Sequence, residues 1–149
     1  MKKIVIIDID GTIAHIGEER AKLLQDGRPI DLEAFYADAF DDQPVPHVVE
    51  LVKHLDRKYR LVFCTGRSER ARTKTLNWMD KHRLPCKTNK LLMRPDTDER
   101  PDHEVKPDLI RRHGLRFNEI AFVLEDRQSM VQKWRELGVP CFQVAEGGV

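Results

Sequence analysis

Cysteine is scarce in this chain: three residues, Cys64, Cys86 and Cys141, in 149. An odd number at irregular spacing supplies neither a disulfide framework nor the ligand pairs of a structural zinc, and it fits a reducing compartment. No stretch approaches the roughly 18 apolar residues of a membrane span. An excess of one charge is missing too, since 26 Lys+Arg face 25 Asp+Glu, so no strong field for a polyanion is implied. The phosphate-cradling loop G-x-x-x-x-G-K-[ST] does not occur, which excludes a P-loop kinase site within these residues. There is no repeat and no low-complexity tract, and the opening MKK-IVII meets acid too soon to read as a signal peptide. What remains is a single domain, 34% charged and long enough to bury a core, with a cytoplasmic location expected.

The apolar residues fall into short runs. Ile4–Ile7, Leu61–Cys64, Ile120–Leu124 and Cys141–Val144 read as buried strands, with Leu91–Met93 a weaker fifth. Between them the spacing turns helical. Val48, Leu51, Val52, Leu55 and Tyr59 share one helix face, as do Met130, Val131, Trp134 and Leu137 before the stop at Gly138. Ala71–Met79 reads as a third helix. Asp108–His113 reads as a short fourth, with Pro107 in its first turn and Gly114 as its cap. Alternating strands and helices predict an α/β class, a Rossmann-like parallel sheet with helices on both faces. Residues 15–46 interrupt that rhythm and predict a small cap insertion with a short helix around Leu32–Phe40. Residues 94–104 read as a charged, proline-containing loop.

The polar residues stand at the strand ends. Asp8-Ile9-Asp10-Gly11-Thr12 follows the first run, Thr65-Gly66-Arg67 the second, and Glu125-Asp126-Arg127 the third; Lys106 stands just before Pro107. In an open parallel sheet, ligands bind outside the carboxyl ends of the strands, so these groups collect on one edge. Buried acids need a partner. Four carboxylates around one lysine need more positive charge than the lysine carries, and an all-oxygen acidic cluster suits Mg²⁺.

DxDGT after an apolar strand, a strand ending in Thr-Gly-Arg, a lone Lys and a strand ending in an acidic pair, in that order, resemble the haloacid dehalogenase (HAD) superfamily of phosphotransferases. The stretches "CTGRSE", "RPDHEVKPDLI" and "LEDRQSMVQKWRELGVPCFQVAEG" are similar to the phosphatase half of phage-type polynucleotide kinase–phosphatase enzymes, which remove 3′-phosphates from nucleic-acid ends. The resemblance implies a HAD fold and a Mg²⁺-dependent phosphomonoesterase that works through an aspartyl-phosphate. It implies Asp8 as nucleophile, and Asp10 as general acid and then base, its backbone carbonyl on the metal. Lys106 would be the fixed cation, and Asp126 would join Asp8 as a direct metal ligand. Thr65, Gly66 and Arg67 would hold the substrate phosphate. Apart from the resemblance, Arg94 and Arg100 flank Asp96 and Asp98, so they read as paired within the charged loop or, for Arg94, as a further phosphate contact. Glu125 departs from the two aspartates usual there, and would reach the metal through a water or orient Lys106.

The implied substrate is a phosphorylated 3′ end of DNA or RNA, with a nucleotidase or other small-molecule phosphatase as the alternative. A phosphoaspartate signalling domain or a non-catalytic binding module is the alternative of another class. Signalling receivers carry their phospho-acceptor on a later strand, and a degenerate binder should have lost one of Asp8, Asp10, Lys106 or Asp126. A kinase or ligase would be a separate unit, no membrane is implied, and the oligomeric state is left open. Arg67, Arg70, Arg72 and Lys74 read equally as a track for a nucleic-acid backbone or as a solvated helix face. Asp102 reads as a loop hydrogen-bonding residue, Trp78 and Trp134 as core, Cys64 as a small buried hydrophobe, and His15 as incidental.

Overall fold

Four successive branched residues have no polar side to show to water, and Ile4–Ile7 (β1) accordingly lies in the centre of the sheet, at most 1% exposed. The computed structural model describes residues 3–25, 28–31, 34–35 and 41–147. After β1 come a one-turn helix α1 (Glu18–Ala21) and a short antiparallel hairpin, β2 (Leu24–Gln25) with β3 (Arg28–Pro29). The main body then alternates: α2 (Pro46–Leu55), β4 (Arg60–Ser68), α3 (Arg72–Lys81), β5 (Lys90–Arg94), α4 (Asp102–Arg112), β6 (Ile120–Glu125), α5 (Gln128–Glu136) and β7 (Cys141–Gln143).

The large sheet runs β5-β4-β1-β6-β7, parallel throughout. Period-two alternation deals its side chains to two apolar layers. Val5, Ile7, Leu61, Phe63 and Met93 meet Val48 and Val52 of α2 and Trp78 and Met79 of α3. Ile4, Ile6, Val62, Cys64 and Val123 meet Val105 and Ile110 of α4 and Met130 and Trp134 of α5. The chain builds outward from β1 to β5, then returns and builds outward again from β6. The strand order therefore reverses at β1, and the crevice of such a reversal opens at the carboxyl ends of β4, β1 and β6.

The expected architecture is present, with boundaries moved by a residue or two at several elements and with three shifts that matter here. The helix expected at Asp108–His113 begins a turn and a half earlier, at Asp102, so Pro107 lies inside it and Lys106 stands on the helix rather than before it. Pro101 ends the preceding loop, and Asp102 and Glu104 supply the acidic first turn that a helix N-terminus favours. Second, β4 does not stop at Cys64: Thr65-Gly66-Arg67 continues the strand, and its pairing with β5 slips between Thr65 and Ser68. Third, the last strand ends at Gln143 instead of Val144. The helix expected around Leu32–Phe40 falls largely outside the described residues; Ala34 and Phe35 within it are helical.

Candidate active site

At the end of β1 the chain carries Asp8 into the crevice and then turns back on itself. Gly11 makes this possible with a φ of 86°, and Thr12, Ile13 and Ala14 all return their N–H groups to the Ile9 carbonyl. The turn delivers the fully buried Thr12 hydroxyl to Asp8 Oδ2 at 2.9 Å. The other oxygen, Asp8 Oδ1, accepts from Lys106 Nζ at 2.7 Å, and the same ammonium donates to Glu125 Oε2 at 2.9 Å. Lys106 reaches in from α4 and Glu125 from the end of β6, so three elements converge on one charge. The separation between residues 8 and 106 is closed entirely by the fold.

Carboxylates outnumber ammonium in this core. Ligand oxygens of Asp8, Glu125 and Asp126 lie within 4.8 Å of one another. Burial alone would lift the Asp8 carboxyl, but Lys106 beside it leaves it below its ordinary value, so Asp8 stays an anion. Glu125 goes the other way: burial and the Asp8 charge push it well above the usual range. Asp126 is pushed up to about 8, first by burial and then by Asp8. Burial works against the Lys106 charge, yet Asp8 and Glu125 hold its ammonium well above its ordinary value. The cluster lacks positive charge and offers only hard oxygen donors, which fits a divalent cation of the Mg²⁺ type.

Asp10 faces the opposite wall. Arg67 grips it with both ends of the guanidinium, Nε to Oδ2 at 2.9 Å and Nη2 to Oδ1 at 2.6 Å, while Nη1 rests on Thr75 Oγ1 at 3.1 Å. Burial raises the Asp10 carboxyl, and Arg67 more than offsets this, so it too is held ionised. The Thr65 hydroxyl accepts the Arg67 backbone N–H at 3.1 Å, fixing the bulged end of β4. Arg67 is 2% exposed and Arg72 closes on Glu69 at 2.7 and 2.8 Å, so the basic run at 67–74 forms no continuous outward track.

Arg94 is engaged within the protein. Rather than lining the crevice, it donates to the Gly66 carbonyl at 2.8 Å, to the carbonyls of Asp98 and Arg100, and to Asp102 Oδ1 at 2.6 Å. It fastens the charged loop and the start of α4 to the Thr65–Arg67 bulge. Asp102, expected on a loop, is the first residue of α4 and is buried against Gly66, where any side chain would meet its carboxylate.

One site residue has no sequence signal at all. Arg20 of α1 is 6% exposed; its Nε donates to the Phe35 carbonyl at 2.9 Å, its guanidinium lies 4.3 Å over the Phe35 ring, and Nη1 pairs with Asp42. Its Nη2 forms an ion pair with Asp10 Oδ1 at 3.6 Å and is buried with no hydrogen-bond partner among the described residues. An orphan guanidinium donor beside Asp10 is an anchor for an anion. Leu24, Pro29 and Phe35 form an apolar lip facing Thr65, Arg67 and Asp126 across a narrow cleft of about 20 Å³.

The Asp126 loop is fixed from outside the cleft as well as from within. Its backbone carbonyl accepts from Gln143 Nε2 at 2.9 Å and from the Gly147 N–H at 3.1 Å, and Val144 N–H bonds the Glu125 carbonyl at 2.9 Å. On the inner side, a methyl placed on Gly11 would run into the Asp126 carboxylate. Gly11→Ala should therefore lower stability by about 1–2 kcal/mol from the left-handed backbone alone, with the clash added. Thermal melts test this against Gly17→Ala, whose new methyl meets nothing within 4 Å.

Comparison with known proteins agrees on one neighbourhood. The family model described as the polynucleotide kinase PNKP phosphatase domain matches residues 2–148. A protein of Autographa californica nuclear polyhedrosis virus, named as a bifunctional polynucleotide kinase/RNA ligase, is 31% identical over 139 residues. That match covers 91% of this chain and 18% of the viral protein. A chain of the Pnkp1/Rnl/Hen1 RNA repair complex superposes with a TM-score of 0.78 at 30% identity, over 98% of this chain and 43% of its own length. A haloacid dehalogenase-like hydrolase from Streptococcus pneumoniae shares the fold, with a TM-score of 0.63 at 12% identity over 94% of this chain and 83% of its own. This chain thus spans less than half of the repair protein it matches and about a fifth of the viral one.

Proposed function

Because the chain belongs to the family of the polynucleotide kinase PNKP phosphatase domain, and so is a HAD-type phosphatase, we propose that it removes 3′-phosphates from nucleic-acid ends through a phosphorylated Asp8. The observation that carries this is the Asp8 carboxylate held ionised between Lys106 and Thr12 at the mouth of the sheet. The signalling and binding-module readings give way to family membership.

Asp8 attacks phosphorus, and the bond from phosphorus to the 3′ oxygen breaks. Asp10 gives its proton to that oxygen, and then takes one from the water that hydrolyses the aspartyl-phosphate and frees Asp8. In the structure Asp10 is committed to Arg67 as a carboxylate. A phosphate entering beside Arg67 and Arg20 Nη2, both of which pair with Asp10, competes for those donors, and so releases Asp10 to carry a proton. Thr65 and Gly66 hold the phosphate from the β4 side, and Arg94 acts by fastening the Gly66 carbonyl. Two opposite charges about 4 Å apart attract by about 4 kcal/mol at an effective dielectric of 20, so Lys106 goes far toward offsetting the repulsion between two anions. Mg²⁺, held by Asp8, Asp126 and the Asp10 carbonyl, would supply the further positive charge the dianion needs. The contact of Glu125 with Lys106 favours the orienting role for that residue.

We place residues 15–46 as a small cap whose hairpin overhangs the cleft. The solved repair complex supports a separate ligase as partner. A cytoplasmic setting accords with three free, buried thiols, and no helix among the described residues is long and apolar enough to cross a membrane.

With Mg²⁺ present, a 3′-phosphorylated oligonucleotide should be hydrolysed with a kcat/KM at least equal to that for 3′- and 5′-mononucleotides. It should also exceed a 5′-phosphorylated oligonucleotide by about tenfold or more. A mononucleotide preferred by about tenfold, roughly 1.4 kcal/mol of transition-state binding, would replace the polynucleotide reading with a nucleotidase.

A further inference from the structure

Beside the narrow cleft lies a larger groove of about 440 Å³, bounded by Gln25, Pro29, Ile30, Ser68, Asp96 and Glu99 among others. Pro29 lines both spaces, so the two adjoin at that residue. A group joined to a phosphate in the cleft has the groove as its neighbour across Pro29.

Two properties decide what that group is. The first is an apolar platform. Among the described residues the exposed large hydrophobics are Ile30, Leu51 and Phe142; Leu51 lies on α2 and Phe142 on β7, and Ile30 alone borders the groove. Ile30 is 63% exposed on the residue after β3, with its backbone tied to the Leu23 carbonyl at 2.8 Å. A rigid, outward-facing Pro-Ile step offers a surface for a flat ring.

The second property is charge. Among the described residues Asp96, Asp98 and Glu99 border the groove against one arginine, Arg94, whose donors are already engaged with protein oxygens. At the rim Arg70 approaches Asp96 at 3.8 Å and Arg100 pairs with Asp98 at 2.8 Å, while Glu99 makes no ion pair among the described residues. Among the described residues such a lining offers phosphodiesters little counter-charge and repels them at Glu99.

Resting on the reading of Asp8 as a 3′-phosphatase nucleophile, we infer that this groove is a single-nucleoside subsite. The terminal base lies on Pro29 and Ile30, and the acidic border turns the upstream phosphodiesters out toward solvent. The protein reads one nucleotide and ignores the length of the strand behind it.

The test uses the full chain with Mg²⁺ and a set of 3′-phosphorylated substrates: a dinucleotide, a decanucleotide, and a decanucleotide ending in an abasic residue. The dinucleotide and decanucleotide should differ by less than about twofold in kcat/KM, with a salt slope shallower than the roughly −0.7 per phosphate contacted that single strands show. Removing the terminal base and making Ile30→Ala should each lower kcat/KM by about tenfold, and the two together by little more than either, as coupled changes do. A decanucleotide preferred by tenfold with a steep salt slope overturns the inference. So does an additive pair of losses, or no loss from either change. Failure of the wild type to release phosphate from every member of the set would instead strike the nucleophile reading on which the subsite rests.

Discussion

Asp8→Asn should leave the fold intact and lower phosphate release by about 10⁴-fold or more, as loss of a covalent nucleophile does. The fold survives because the amide oxygen still accepts from Thr12 or Lys106, while one of three crowded carboxylates becomes neutral. The charge that helps drive Asp126 up to about 8 is then gone, so the cluster is relieved rather than broken. Phosphate release from a 3′-phosphorylated oligonucleotide and a thermal melt of the same preparation measure the two halves. Activity within tenfold of wild type would show that the phosphoryl group does not pass through Asp8.

Lys106→Met is expected to damage both activity and stability, because it removes the sole ammonium from between two buried carboxylates. Breaking one side of a buried ion pair costs about 3–5 kcal/mol, since the remaining charge is left without compensation. The cost should depend on pH, with a sign that follows from the two displaced groups. Asp8 is depressed, so its contribution is present above 3.8 and fades as pH falls through its folded value. Lys106 is elevated, so its contribution is complete below 10.5 and fades as pH rises through its folded value. Between those limits both act, and the deficit of the variant should be greatest near neutrality and should close in acid. Urea melts of the two proteins at several pH values give the difference directly. A deficit that stays constant down to about pH 3 would mean that the lost methylene packing, rather than charge, sets the cost.

The layers of the fold were legible because burial on both faces leaves a plain trace. A strand such as Ile4–Ile7 with no polar residue can only be interior, and the helices between strands show one apolar stripe each. The acids at the strand ends were legible for a related reason, as charges in places where the pattern allows none. What separated Lys106 from any surface lysine was its order among the motifs; its grip on Asp8 and Glu125 is a product of tertiary structure that no local window contains. The start of α4 was misjudged because Pro107 is a natural first-turn residue, although the acidic pair Asp102 and Glu104 was a competing signal. For Arg94 the acids around it left internal pairing and a phosphate contact both open; that its donors go to the Gly66 carbonyl and Asp102 is a product of the fold. Arg20 left no trace. It sits on a one-turn helix without periodicity, and only its orphaned Nη2 against Asp10 identifies it.

The hydrogen bonds from Gln143 and Gly147 to the Asp126 carbonyl have a practical side. They make the segment from Gln143 to Gly147 a handle on the Asp126 loop: a displacement of that segment is transmitted to Asp126 through two bonds of about 3 Å. The start of β1 has no such leverage, since it lies at the end of the strand opposite the crevice, with the Lys3 N–H bonded to the Glu119 carbonyl. A fluorescent reporter set between Gln143 and Gly147 would therefore register the state of the Asp126 loop itself.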